Sequence, residues 1–164
     1  MKQKMEIERK WWFKGGVQHF LSQCEIIKTM PIYQKYLSMG EHEIRIRLEQ
    51  EEVLVVYKQG FGLARNELIF KTTMEDYYEK MTLFGGTKVN SLSKVRYNVI
   101  YHSEEYEVDV FDGRSLVLIE KEFESVVDAE SFVGAIGDIA EEVTGNYDFY
   151  NANLVSKYDE EFLI

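Results

Sequence analysis

The sequence predicts a mostly β protein of the α+β class: eight antiparallel strands closed into a barrel with a charged interior, flanked by a few helices. Three observations carry that expectation. Apolar residues alternate with period two through most of the chain, turn signals separate the alternating runs, and the polar positions of those runs are almost wholly Glu, Asp, Arg and Lys.

The first run, Met5 to Trp12, sets Ile7, Arg9 and Trp11 against Glu6, Glu8 and Lys10, because residues two apart on a strand share a face. Val17 to Ile27 has helical spacing. Tyr33 to Leu37, Glu43 to Leu48 and Val53 to Lys58 return to period two, and Gln59-Gly60-Phe61-Gly62 is a flexible connection to a fifth strand over Leu63 to Lys71. A helix over Thr73 to Phe84 precedes strands at Ser93 to His102, Tyr106 to Phe111 and Leu116 to Phe123. Asp112-Gly113 carries the two-residue signal of a tight primed turn, so neighbouring strands read as antiparallel. Helical spacing returns from Asp128, a candidate N-cap, to Ala140, and a short last helix is expected near Tyr150 to Tyr158. Pro31 is the only proline and no Ser/Gly/Pro-rich stretch intervenes, so residues 1–164 are expected to form one domain.

The charged faces are the informative feature. Seven acids (Glu6, Glu8, Glu67, Glu107, Asp109, Glu120, Glu122) and seven bases (Lys10, Arg45, Arg47, Lys58, Arg65, Lys94, Arg96) occupy them and balance to zero. An antiparallel sheet with one solvated face also alternates apolar and polar residues, but such a face mixes in Thr, Ser and Gln. The other explanation is a barrel with a charged interior and an apolar exterior covered by helices. Buried charges persist only when paired or coordinating metal, and this mixture suits a polyanion with divalent cations.

Composition excludes several classes. Twenty-nine Asp and Glu against 19 Lys and Arg give a net charge of −10, which disfavours general affinity for nucleic acid or anionic membranes. The longest apolar runs, such as Val53 to Val56, fall far short of a bilayer crossing, and a cytoplasmic location is expected. Cys24 stands alone, which rules out internal disulfides and thiolate zinc clusters; it reads as a small core residue. His19, His42 and His102 lack metal-ligand spacing, and Gly85-Gly86-Thr87-Lys88 lacks the rest of a phosphate loop. Trp11 is expected to pack outward and Trp12 to pack at the interior or its rim, with base stacking as the functional alternative; Asp159-Glu160-Glu161 reads as a solvated end.

Glu6-Ile7-Glu8-Arg9-Lys10 resembles the E-x-E-x-K signature of the CYTH superfamily, the triphosphate tunnel metalloenzymes. The order of Arg45-Ile46-Arg47, Lys58, Arg65-Asn66-Glu67, Lys94-Val95-Arg96, Glu107-Val108-Asp109 and Glu120-Lys121-Glu122 continues it, and Glu141-Glu142-Val143-Thr144 and Asn151 to Leu154 are similar to the family's ending. The resemblance runs from about Met5 to Val155 and is strongest to short bacterial-type inorganic tripolyphosphatases. It implies an eight-stranded tunnel and hydrolysis of the terminal phosphoanhydride of a triphosphate with Mg2+ or Mn2+. It further implies that Glu6, Glu8, Glu120 and Glu122 hold metal, with Glu107 and Asp109 as further metal carboxylates, and that Lys10, Arg45, Arg47, Lys58, Arg65, Lys94 and Arg96 clamp phosphate. Water activation falls to Lys58, Glu67, Asp109 or a second metal.

Two positions depart from the family. Ile69 stands where a second acid is expected after Glu67, and Phe149-Tyr150-Asn151 replaces a Y-K-N run, which removes a basic residue. Alternatives kept open are a nucleoside or thiamine triphosphatase, a class IV-type adenylate cyclase, and a non-catalytic tunnel that binds nucleotide or polyphosphate, as monomer or homodimer.

Overall fold

In a computed structural model, residues 2–83, 90–151 and 154 are described. Strands β1 (Lys2–Phe13), β2 (Glu25–Ser38), β3 (His42–Glu49), β4 (Glu52–Gln59), β5 (Ala64–Thr72), β6 (Ser91–Tyr101), β7 (Glu104–Phe111) and β8 (Val117–Glu122) form one antiparallel sheet in the order β5-β4-β3-β2-β6-β7-β8-β1. Pairing of β1 with β5 closes it into a barrel, and a two-residue strand β9 (Glu141–Glu142) adds to β1 at Trp11 and Trp12. β1 divides its length between two neighbours, with Lys2 to Ile7 on β5 and Glu8 to Phe13 on β8. No helix among the described residues is long and apolar enough to cross a membrane.

Helices α1 (Val17–Ser22), α2 (Met74–Leu83) and α3 (Val126–Ser131) lie outside the barrel. Phe20 and Leu21 of α1 pack on the outward residues Trp11, Val99, Val108 and Ile119, and Ile136 after α3 joins the same apolar cluster. Met81 of α2 packs on Ile46, Val53 and Val55 to form another. A third cluster lies inside and stoppers one end of the barrel: Tyr36, Leu92, Phe111, Leu116, Leu118 and Leu154, with Trp12 and Phe149 against them. Trp12 thus faces inward onto Phe149, ring centroids 5.1 Å apart, while Trp11 packs outward beside Phe132.

Several local expectations need correction. The helix expected to reach Ile27 ends at Ser22, because Glu25 and Ile26 pair with Ile100 and Val99 of β6 and begin β2 instead. The tight turn expected at Asp112-Gly113 is a longer loop closed by Phe111 N–H donating to the Leu116 carbonyl, 3.2 Å. Two-residue turns with positive φ occur at Gln50-Glu51 and His102-Ser103, which carry no glycine to announce them. The α3 N-cap is Ser125, whose Oγ accepts from Asp128 N–H at 3.0 Å. The helix expected to continue to Ala140 stops at Ser131, and a 3-10 turn follows at Ala135–Asp138. Gly134 lies at that break in extended conformation; a Cβ there would meet the Phe132 ring at 2.5 Å. Of the last expected helix, Leu154 N–H donates to the Tyr150 carbonyl at 3.0 Å; residues 152–153 and 155–158 lie outside the described residues, as do Phe84, Gly85 to Lys88 and Asp159 to Glu161.

Arg9 fastens this C-terminal covering to the barrel. Its guanidinium donates to both Glu142 oxygens (2.7 and 2.8 Å) and to the carbonyls of Ala129 and Phe132 (2.9 and 2.6 Å). Arg9→Met is expected to cost about 2 kcal/mol, mainly by stranding the two carbonyls, with little from the half-exposed ion pair. Thermal unfolding should show a midpoint lowered by roughly 4–8 °C. The Arg9 hydrogen bond, with Thr144 Oγ1 adding to it, holds the Glu142 carboxyl below its usual value of 4.5. This contribution is therefore complete above that value and is lost as pH falls below it, so the difference between Arg9→Met and wild type should shrink in acid.

Candidate active site

Period two in the strands turns one face of every strand into the barrel, and the closed ring of eight places β1 and β8 across from β2 and β3. The inward residues enclose a cavity of about 240 Å3, lined by Lys4, Glu6, Glu8, Lys10, Glu43, Arg45, Arg47, Glu49, Lys58, Arg65, Glu67, Arg96, Glu107, Glu120 and Glu122, with Ile69, Met30, Asn98 and Asn151 between them. Twelve of the fourteen charged residues expected from the sequence therefore share one cavity. Lys94 and Asp109 lie outside its lining, fully buried and joined at 2.6 Å. Asp109 also takes two hydrogen bonds from Arg96, at 2.7 and 2.8 Å.

The register explains which charges are satisfied by the fold and which are not. Lys4 stands opposite Glu67, Glu6 opposite Arg65, Lys10 opposite Glu120 and Glu43 opposite Lys58, so opposite signs neighbour each other across these strand pairs. Glu8 stands opposite Glu122 and Glu107 opposite Glu120, like against like. Arg45 and Arg47 have only uncharged inward neighbours, Tyr36 and Gln34 on β2 and Val56 and Leu54 on β4.

On the acidic wall, Glu6, Glu8 and Glu122 each offer a carboxylate oxygen within 4.8 Å of the others. This is an all-oxygen set of the kind that hard divalent cations take, and it fits such a cation. Burial pushes the Glu8 carboxyl well above its usual range, with the charges of Glu120 and Glu6 adding to the rise. Burial also pushes Glu107 up to about 7 against the pull of Arg96, to which it is paired. Glu6 is opposed by burial yet held well below its usual range by Lys58, whose Nζ lies 2.8 and 2.9 Å from its two oxygens, and by Glu67 and Arg65. Glu67 is raised by burial and by its hydrogen bond with Glu6, and Lys58 stands 3.5 Å away. Among the described residues the three-carboxylate cluster is Glu6, Glu8 and Glu122; Glu120 shares a hydrogen bond with Glu8 and lies 3.7 Å from Lys10, while Asp109 is taken up by Lys94 and Arg96 and Glu107 by Arg96.

On the basic wall, the Nε atoms of Arg45 and Arg47 are buried without a partner, as are both amide atoms of Gln34. Burial and the charges of Arg45 and Arg96 pull the Arg47 guanidinium below its usual value, against the help of Glu49 at 3.2 Å. Of the three guanidinium groups here only Arg47 is disfavoured by the other two, since acids beside Arg45 and Arg96 raise theirs, and paired N–H donors so placed suit an anion. Burial lowers Lys94 to about 8, with Asp109 opposing, and raises the Tyr36 phenol to about 12, so Tyr36 accepts the Arg45 hydrogen bond as a neutral group.

Sequence reading missed Lys4, Glu43 and Glu49. Glu43 and Glu49 lie on the Arg45 and Arg47 face and were available from period two alone. Lys4 precedes the first alternating run that the sequence shows, and only the added length of β1 brings it to Glu67 and Glu122, at 3.7 and 3.6 Å. Ile69 does line the cavity, on the same face as Glu67.

A closed antiparallel barrel with opposed carboxylate and guanidinium walls is a polyanion tunnel. No family model matches the sequence and no curated protein is similar to it. Among solved structures, the inorganic triphosphatase NE1496 is 26% identical, with 92% of this chain and 93% of that one covered and a TM-score of 0.60. A putative adenylate cyclase from Bacillus halodurans is 15% identical over 90% of this chain and 97% of its own, with a TM-score of 0.61. A putative adenylyl cyclase from Hippeastrum, described as having a dominant triphosphatase activity, is 13% identical over 76% of this chain and 82% of its own, with a TM-score of 0.56. The chain shares the closed tunnel fold of these proteins, which supports its resemblance to the CYTH superfamily.

Proposed function

We propose that the protein hydrolyses the terminal phosphoanhydride of a triphosphate in a metal-dependent reaction, with inorganic tripolyphosphate as the preferred substrate. The observation that carries this reading is Arg47, whose buried Nε is unpartnered and whose guanidinium lies beside Arg45 and Arg96, opposite a wall of carboxylates. The inorganic triphosphatase NE1496, alike over almost the whole chain, supports it.

In this reading Arg45, Arg47 and Arg96 take the oxygens of one end of the substrate, and Lys10, Lys58 and Arg65 those of the rest. Glu6, Glu8 and Glu122 would hold Mg2+ or Mn2+, which supplies neutralisation of phosphate charge as the bridging oxygen leaves. Glu67, raised by burial and Glu6, accepts the proton of the attacking water; the new P–O bond forms as the bridging P–O bond breaks. Lys94 and Asp109 act from outside the lining by fixing Arg96. Most of the rate acceleration then comes from positioning and preorganised charge. The reading involves neither nucleic acid nor membrane, and suits a cytoplasmic monomer or homodimer.

Phosphate release should be measured from tripolyphosphate, ATP and thiamine triphosphate with Mg2+, with Mn2+ and with a chelator. Fastest release from tripolyphosphate, abolished by the chelator, is the expected result. Faster release from ATP or thiamine triphosphate would move the preference to that leaving group, and no release from any would overturn hydrolysis. One observation favours a second reading, a tunnel that binds polyphosphate without turnover: Ile69 puts an apolar side chain in the lining on the Glu67 face. Tight tripolyphosphate binding without release would identify it, and Ile69→Glu would then be the variant to assay.

A further inference from the structure

The charged cavity ends against a strap, the 3-10 turn Tyr147–Phe149 and the residues after it, and one side chain of that strap touches everything around it. Tyr150 sets its ring 5.0 Å from the Arg65 guanidinium carbon and 5.7 Å from Lys10 Nζ, the two cations at that end of the lining. Its hydroxyl accepts from Gly62 N–H at 2.6 Å. That hydrogen bond holds the loop between β4 and β5, where Gly60 and Gly62 both have positive φ and Phe61 meets Tyr147 edge to face, ring centroids 4.8 Å apart. Lys10 Nζ also donates to the Phe149 carbonyl at 3.2 Å, and the residue after Tyr150, Asn151, reaches the cavity lining.

We propose that Tyr150 is a positioning residue for triphosphate, one that fixes Lys10 and Arg65 against its ring and fixes the loop leading into Arg65 through its hydroxyl. The inference rests on the triphosphatase reading and adds to it a group that touches no phosphate. A lysine or arginine free to swing must lose rotamer freedom when it grips an oxygen; one already held against an aromatic face loses less. A bound triphosphate keeps both contacts, because a cation can present one side to the ring and its N–H groups to phosphate. The ring therefore acts on binding rather than on the chemical step.

The test compares Tyr150→Leu, which removes ring and hydroxyl, with Tyr150→Phe, which keeps the ring. Steady-state kinetics with tripolyphosphate and Mg2+ and calorimetric binding of tripolyphosphate should be run on both, with thermal unfolding as a control. Tyr150→Leu is expected to raise KM and the dissociation constant about tenfold with kcat within about threefold, and Tyr150→Phe to recover most of the loss. Unchanged KM in Tyr150→Leu, or a loss confined to kcat, overturns the positioning role. So does a loss in Tyr150→Phe as large as in Tyr150→Leu, since the ring would then contribute nothing. If Tyr150→Leu unfolds, Tyr150→Met takes its place as the variant without a ring, and an unchanged KM there overturns the role. Wild type that neither binds nor hydrolyses tripolyphosphate would instead overturn the reading of the cavity itself, and this role with it.

Discussion

Arg47→Ala is expected to lower kcat/KM for tripolyphosphate by about two to three orders of magnitude, the scale seen when one preorganised charge donor is removed from a site. The reason lies in the register of β3. Arg47 has no acid across either neighbouring strand, and its partner Glu49 is two residues along its own strand. Its buried Nε has no acceptor, and Arg45 and Arg96 disfavour its charge, so the folded chain holds a cation whose full complement of acceptors must come from a ligand. Removing it relieves repulsion in the ligand-free protein, so thermal stability without substrate should be unchanged or slightly higher. Arg47→Lys should recover part of the affinity but little of the rate, because an ammonium cannot offer the paired N–H donors of a guanidinium. Steady-state kinetics with unfolding controls check this, and wild-type kinetics in Arg47→Ala would remove Arg47 from the site.

Glu8→Gln is expected to abolish metal-dependent turnover while leaving the fold intact. Glu8 sits across from Glu122, and without a cation burial and the charges of Glu120 and Glu6 favour its protonated form. Glutamine keeps the size and polarity of the side chain and takes one acid out of a cluster of acids, so the unfolding midpoint in chelator should be close to that of wild type. The difference should emerge when Mg2+ or Mn2+ is added. A cation at one hundred times its dissociation constant stabilises wild type by about 2.7 kcal/mol, and the variant should lose most of this. The corresponding rise in midpoint, roughly 5–10 °C for a chain of this size, makes a readout that needs no turnover. A variant with full activity, or with an undiminished thermal response to metal, would take Glu8 out of the metal site.

The barrel and most of its lining were legible because two periodicities coincide. Inward residues of a strand recur every second position, and in this chain those positions carry charge, so Glu6, Glu8 and Lys10, or Arg45 and Arg47, declare a shared face without any knowledge of their partners. The E-x-E-x-K resemblance then implied an eight-stranded tunnel. What misled the reading was local. Val17 to Ile27 spaces its apolar residues as a helix does, but Glu25 and Ile26 find backbone partners on β6, some seventy residues away, and pairing outweighs spacing. The turns at Gln50-Glu51 and His102-Ser103 are imposed by the strands they join rather than by their own residues.

The sequence by itself determined the charged inward faces, the near equality of opposite charges on them and the class of ligand such a lining suits. Those properties depend only on residue type and period. Which charges neutralise each other is a property of register, and register is a relation between strands that no single strand encodes. Only the tertiary structure sets Glu6 on Lys58 and Asp109 on Arg96, draws Glu6, Glu8 and Glu122 to within 4.8 Å, and leaves Arg47 without an acid opposite it on either neighbouring strand. It alone brings Tyr150, from a segment with no readable period, against Arg65 and Lys10.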